Sequence, residues 1–488
     1  MTETETVRST NRWIALVVLC VGVLMIILDA TVVNVALPSI QSDLGFSQSN
    51  LAWVVNAYLI AFGGLLLLAG RLGDLVGRRR IFLIGLTIFT AASLLCGLAQ
   101  SQEVLIGARF VQGVGGAMTS AVILGVIVTM FPEPEEQARA IGIYSFVAAA
   151  GGSIGLLAGG VLTQAINWHW IFFVNLPIGV ATAVLAARLL ERDEGIGVGE
   201  GVDLPGAVLL TSSLMAGVYT IVGASDHGWG SGHTLGFGSA ALALLVAFVA
   251  REARTSNPLV PLRIFRSRVV AGANAVQALM VAGMFGMFFL GALYLQRVQG
   301  YDAVEVGLAF LPVAVLIAAL SLGVSARLIT RFGGRATLLP GLALIVAGLG
   351  LFASAPVDAS YPTDILPVML LLGSGAGLSF PALMTLAMSG ATPSDSGLAS
   401  GLVNTTQQVG GALGLAVLAT LSTTRTGDLR AAGDATASAL TGGYHLAFAI
   451  GAGLVAASVA LAVTLLRPQP GALFEEEPEL EPAYSEAA

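Results

Sequence analysis

Lysine is absent from this chain: all 22 basic residues among its 488 are arginine. A phosphate-binding loop of the G-x-x-x-x-G-K-[ST] kind is therefore excluded, and with it that route to driving work with ATP. Cysteine is nearly absent as well. Cys20 and Cys96 lie in separate apolar runs, which rules out a disulfide framework and a cysteine-built metal site. Charge of either sign is scarce, at 10% of residues, against about 25% in an ordinary soluble domain. So little charge cannot coat a water-facing surface. The net charge of −7 owes much to the end "FEEEPELEPAYSEAA", and no stretch is basic enough for nucleic acid. The four histidines, His169, His227, His233 and His445, show no ligand spacing. With no nucleophile–base set either, the residues predict neither an enzyme nor a metal or other cofactor.

What the chain has in abundance is apolar length. It is 56% hydrophobic, and its mean hydropathy is +0.87. Runs of roughly 20 apolar residues fall near 13–37, 51–70, 81–99, 105–130, 139–163, 168–189, 204–224, 234–250, 270–295, 304–326, 337–355, 366–388, 398–421 and 443–466. A transmembrane barrel needs alternating segments half as long, so these read as helices. The 61 glycines fall largely inside the runs, where small residues let helices approach closely. The first run is too long for a secretory signal and has no evident cleavage site, so it is expected to stay as a first span.

Charge asymmetry orients the spans. With fourteen spans and a cytoplasmic start, every arginine but Arg109, Arg297, Arg425 and Arg430 falls on the cytoplasmic side, and Arg109 is inside a run. Both termini are therefore expected in the cytoplasm of a cell-membrane protein. An internal echo suggests a two-half design. "GRLGDLVGRRR" at 70–80 joins the second and third runs, and "ARLITRFGGRA" at 326–336 joins the tenth and eleventh. The expected organisation is a short cytoplasmic start at 1–12 and a six-helix bundle at 13–189. A linker with two inserted helices follows at 190–269, then a second six-helix bundle at 270–466 and an acidic tail at 467–488.

Within this apolar frame a few residues stand out. Asp29 sits in the middle of "VGVLMIILDATVVNVALPSI". At 1.5 Å per residue it lies a little beyond the midplane, and Arg109, early in a run of opposite direction, reaches a compatible depth. A lone charge in hydrocarbon costs about 2.5–3.5 kcal/mol even on the lenient insertion scale. Pairing, or facing a polar cavity, lowers that cost. A carboxylate whose surroundings alternately dry and hydrate can carry protons, so Asp29 and Arg109 are candidates for proton coupling. A static pair clamping two spans is the plain alternative. Gln112, one turn from Arg109, is placed to orient the guanidinium. Asn34, Asn56, Tyr58, Gln407 and Gln408 are candidate cavity-lining groups, although amides in spans also bond across helix contacts. In the loop at 70–80, Gly70 and Gly77 bracket Asp74, and Arg78 follows. A clasp there between the two halves could gate conformational change, or the arginines could simply anchor the topology.

These segments resemble the major facilitator superfamily, and within it the fourteen-span drug:proton antiporters of the EmrB/QacA type. "GRLGDLVGRRR" is similar to the superfamily's loop between spans 2 and 3, with Gly70, Asp74, Gly77 and Arg78 in its signature places. "LDATVVNVALP" resembles the first-span motif, where Asp29 matches an embedded acid implicated in coupling. "RFVQGVGGA" resembles the span-4 motif whose arginine, here Arg109, is linked to proton transfer. "NWHWIFFVNLPIG" and "GLASGLVNTTQQVGGALG" resemble the entries to spans 6 and 13. Two departures stand out. The span-5 exporter motif has Leu156 in place of its proline, keeping Gly155, Gly159 and Gly160 as a packing face without the kink. His169 stands where relatives commonly carry arginine.

The resemblance implies an all-α polytopic membrane protein with the major facilitator fold, fourteen helices in two six-helix bundles plus two inserted ones. It implies proton-driven export of amphiphilic, neutral or monocationic small molecules such as drugs or antibiotics. Its expected partners are a small-molecule substrate, protons and membrane lipids, with the monomer sufficient. A proton-coupled symporter importing a metabolite is the alternative, which Leu156 favours slightly. A non-transporting membrane sensor or scaffold is a further one.

Overall fold

The structure is a computed structural model and describes residues 3–191, 193, 195, 203–255, 258–259, 262–388 and 396–466. The expected acidic tail therefore lies outside the described residues, as does most of the segment 192–202. The helices are, in chain order, α1 (Glu3–Leu44), α2 (Gln48–Leu51), α3 (Trp53–Val76), α4 (Arg78–Gly97), α5 (Gln102–Met130), α6 (Pro134–Ala165), α7 (Trp170–Phe173), α8 (Asn175–Leu189), α9 (Leu204–His227), α10 (Gly232–Glu252), α11 (Arg268–Arg297), α12 (Ala303–Ala319), α13 (Ser325–Phe332), α14 (Gly334–Phe352), α15 (Leu366–Met388), α16 (Ser396–Ala431) and α17 (Thr436–Leu465). Among the described residues, eleven stretches are long and apolar enough to cross a membrane. They correspond to all the expected runs except those at 139–163, 304–326 and 398–421.

Local chemistry sets the helix starts. Ser101, Asp203, Ser231 and Ser267 each accept a hydrogen bond from a backbone N–H three residues on, relieving one of the unpaired donors of a first turn. Asp302 and Glu305 make a reciprocal capping box at α12. These two acids thus have a structural task at the mouth of that helix.

Packing separates the helices into two groups. In the first, α4 and α3 lie against α5, α1 against α6 and α8, and α4 against α8. In the second, α11 lies against α16 and α17, α14 against α15 and α17, and α12 against α15. The groups meet where α6 packs on α12 and where α3 packs on α16. The hairpin α9–α10 stands outside both: α9 touches α3 and α16, and α10 packs on α9. The outer surface of α10 presents Leu235, Leu242 and Val246, each about 60% exposed. That much apolar side chain facing outward fits lipid and not water.

The sequence echo has a backbone counterpart. Gly77, between α3 and α4, has φ 108° and ψ 127°, and Gly333, between α13 and α14, has φ 86° and ψ 159°. Each N–H closes its preceding helix, Gly77 on the Gly73 carbonyl at 3.0 Å and Gly333 on the Ile329 carbonyl at 2.9 Å. Only glycine holds such angles without strain. Gly77→Ala is expected to cost about 1–3 kcal/mol, because a Cβ there also meets the Asp193 carbonyl oxygen at 2.8 Å. A lowered thermal unfolding midpoint of the purified variant is the check. An unchanged midpoint refutes the strain argument.

Candidate functional site

The helix α1 carries Asp29 into the middle of the first group, where the residue is 1% exposed and Arg109 of α5 is 0% exposed. Arg109 Nη1 stands 2.5 Å from Asp29 Oδ2. The same nitrogen donates to Gln112 Oε1 at 2.7 Å, and Nε donates to the Val54 carbonyl of α3 at 3.0 Å. The guanidinium lies over the Tyr58 ring, 4.4 Å from its centroid, and 5.7 Å from that of Phe172. Arg109 is thus held by a carboxylate, a carbonyl, an amide and an aromatic face, which replace part of the water it has lost, while Nη2 makes no hydrogen bond among the described residues.

The other carboxylate oxygen is equally engaged. Asp29 Oδ1 accepts from Gln112 Nε2 at 2.7 Å and from Asn175 Nδ2, at the start of α8, at 3.0 Å. Ser93 of α4 ties the two amides together, its Oγ accepting from Gln112 at 2.8 Å and lying 3.5 Å from the Asn175 amide nitrogen. Cys96 donates its thiol to Gln112 Oε1 at 3.5 Å. Four helices of the first group besides α1 thus contribute to one sealed polar cluster. Sequence reasoning reached Asp29, Arg109 and Gln112 but missed Ser93 and Asn175. Asn175 had a readable signal, a lone amide in an apolar run two residues before Pro177. Ser93, in "TAASLLCG", had none, since serine is common in spans.

Of the remaining candidates, Tyr58 joins the cluster through its ring, and the others sit elsewhere. Asn56 is fully buried, and neither amide atom makes a hydrogen bond among the described residues. Asn34 donates to the Ala30 carbonyl of its own helix at 3.4 Å. Gln407 and Gln408 are half-buried on α16. Gln408 lies at the crossing with α3, where a Cβ on Gly63 would stand 2.6 Å from its own. Gly155 and Gly159 press against Thr31 and Val32 of α1, and Gly160 against Ala303 and Val304 of α12.

In the loop at 70–80, Gly70 lies against Ala121 of α5, and Arg78 Nη2 pairs with Asp74 at 3.0 Å. Arg78 Nη1 also reaches the Gly125 carbonyl and Thr129 Oγ1, both at 3.0 Å. Asp193 caps the turn by accepting from the backbone N–H of Arg78 and Arg79. These partners belong to the first group and the segment after it. In this structure the pair expected as a clasp between the halves is closed within one, because Gly125 leaves room for Arg78 to fold onto α5. His169 is also engaged, its Nδ1 donating to the Gly97 carbonyl at 2.9 Å, with Nε2 3.7 Å from Asp43.

Among the described residues, hydrogen bonds join the two groups at the face remote from this arginine-rich turn. Gln164 Nε2 donates to Asp302 at 2.9 Å, and Gln296 Nε2 donates to the Val35 carbonyl at 2.9 Å. The Gly160 contact with α12 lies at the same face. The groups are thus tied together at that face.

Comparison with known proteins gives this architecture a family. The sequence model of the Major Facilitator Superfamily matches residues 19–415. The chain is 40% identical over 462 residues to the puromycin resistance protein pur8 of Streptomyces alboniger, covering 93% of this chain and 92% of that one. It is 39% identical to the cephamycin export protein CmcT of Amycolatopsis lactamdurans, with 86% of each chain covered. It is also 39% identical to the lincomycin resistance protein of Streptomyces lincolnensis, with 85% of each covered. Among solved structures, a bacterial homologue of the human lysosomal transporter Spinster superposes with a TM-score of 0.67 at 18% identity, covering 94% of this chain and 99% of that one. A multi-pass helical bundle of this shape, matched over most of its length by that family, is a member of the major facilitator superfamily.

Proposed function

We propose that the chain is a proton-coupled efflux transporter that exports amphiphilic, neutral or monocationic small molecules, antibiotics among them, by alternating access. The observation that carries the coupling is the sealed cluster in which Asp29 and Arg109 neutralise each other at the centre of an apolar bundle. The resistance and export proteins to which the chain is similar support the direction and the substrate class.

In this reading α6, α12 and α16 complete fourteen spans. The helices α6 and α16 have 32 and 36 residues, and α12 runs on through a π-turn at Leu320–Val324 into α13. Residues 13–189 and 270–466 are the two six-helix bundles, joined by the inserted hairpin. The excess of arginine on the α3–α4 side makes that face cytoplasmic, with both termini there. The fastening by Gln164, Asp302 and Gln296 then closes the outer face, and the conformation opens inward. The Asp74–Arg78 pair on α5 belongs to this state, and gating consists of its rearrangement as the bundles rock. Asn34, Asn56, Tyr58, Gln407 and Gln408 lie toward the substrate path, and the monomer suffices.

Chemically the cycle needs a carboxylate that exchanges protons. Outward-facing, Asp29 takes a proton and loses its hold on Arg109, which favours substrate release. Inward-facing, the proton leaves and the cluster closes again. Proton and substrate must influence each other's binding reciprocally.

Purified protein in vesicles with an imposed pH gradient tests this. With a panel including puromycin, lincomycin and cephamycins, substrate is expected to move against the proton flow and to stop moving when the gradient is collapsed. Movement with the protons would establish the symporter. Movement indifferent to the gradient would end the coupled reading.

A further inference from the structure

The way Asp29 is held points to one neighbour as the group that moves when a proton arrives. This rests on Asp29 being the proton carrier. Oδ2 is occupied by Arg109, and Oδ1 by two amide donors, Gln112 and Asn175. Among the described residues, Arg109 of α5 is the charged group facing it. Ser93 and Cys96 of α4, Tyr58 of α3 and Asn175 of α8 are neutral. A proton on Oδ1 cannot coexist with both amide N–H groups pointing at that oxygen, so one amide must withdraw.

The two amides are not equally held. Gln112 is fixed by Arg109 at 2.7 Å, Ser93 at 2.8 Å and the Cys96 thiol at 3.5 Å. It also shares a rigid helix with Arg109. Among the described residues, the Asn175 amide has, besides Asp29, the Ser93 contact at 3.5 Å alone. Its helix is also weakened beside it: Val174 keeps helical angles, φ −57° and ψ −28°, with its N–H on the Trp170 carbonyl at 3.1 Å, but Pro177 has no N–H to give the Phe173 carbonyl. Before this turn the chain is pinned, with Trp168 Nε1 donating to Asp43 at 2.9 Å and His169 bonded to the Gly97 carbonyl. Beyond it α8 packs on α1 and α4. Asn175 lies within the turn that lacks this bond.

We propose that Asn175 is a positioning residue for proton coupling, the displaceable donor whose withdrawal from Asp29 Oδ1 admits the proton and whose return expels it. Movement of α8 about the turn before Pro177 and protonation of Asp29 are then one linked event.

The test follows proton uptake by Asp29 directly. Infrared difference spectra of the purified protein in lipid vesicles, taken across pH, show the protonated carboxyl band, identified by its loss in Asp29→Asn. Removing the donor weakens the ionised form relative to the protonated one. Asn175→Leu is expected to move the midpoint of that band to higher pH by about one unit, the equivalent of one hydrogen bond to a charge. The pH profile of transport should shift with it. Asn175→Ala removes the same donor with less bulk and should do likewise. Asn175→Gln restores an amide and should return most of the shift. Ser93→Ala, which touches both amides but not Asp29, should shift the midpoint much less. If the band vanishes in Asp29→Asn but the leucine and alanine variants titrate like the parent, Asn175 is not the displaced donor and the inference is overturned alone. If Asp29→Asn removes no band and leaves gradient-driven transport intact, the carrier assignment itself is wrong.

Discussion

Asp29→Asn is expected to reduce gradient-driven transport to the level of empty vesicles while the protein remains in the membrane. The side chain loses its exchangeable proton, and asparagine is also a poor fit for the hole it leaves. Every group facing Asp29 is a donor: Arg109 Nη1, Gln112 Nε2 and Asn175 Nδ2. An amide at position 29 can offer its oxygen to Arg109, but its NH2 then meets two other donors. One of those amides must rotate or be left unpaired, at about 1–3 kcal/mol. Arg109 also stays charged with no carboxylate beside it. The decisive measurement is substrate flux in vesicles at matched protein content, with and without a pH gradient. Retention of full gradient dependence would falsify the role assigned to Asp29.

Arg109→Ala should do the larger damage to stability. It leaves Asp29 ionised and buried without its partner, a class of change that costs about 3–5 kcal/mol. It also strips the Val54 carbonyl and Gln112 Oε1 of their donor and removes the cation from the Tyr58 face. Lysine at this position cannot replace it, because one ammonium does not span a carbonyl, an amide and a carboxylate in a plane. The double variant Asp29→Asn with Arg109→Ala should recover part of the lost stability, since no charge is then stranded, and should recover none of the coupled transport. Thermal unfolding of the single and double variants gives the coupling between the two residues as the departure from additivity. Additive losses would mean that the pair contributes no specific interaction.

Much of the frame was legible because it follows from local chemistry. Runs of about twenty apolar residues can only be helices where no water satisfies the backbone, and glycine in a tight turn marks a backbone angle closed to other residues. The echo between the turns at Gly77 and Gly333 was visible for that reason. The meeting of Asp29 with Arg109 was within reach too, since rise per residue and direction of travel gave both the same depth. The direction taken by Arg78 was not. A glycine in another helix, Gly125, opens the space into which it folds, and nothing local says that the two face each other.

From the residues alone came a membrane-embedded helical chain with one carboxylate and one arginine too costly to leave apart in lipid, because burial energies depend on composition and run length. Only the tertiary structure decided that this pair is sealed by Gln112, Ser93 and Asn175, that α9 leans on both α3 and α16, and that Gln164 and Gln296 tie the two groups together at one face. Those outcomes depend on which helix faces which, and a side chain's partner across a helix interface is set by rotation and register that no single run of sequence encodes.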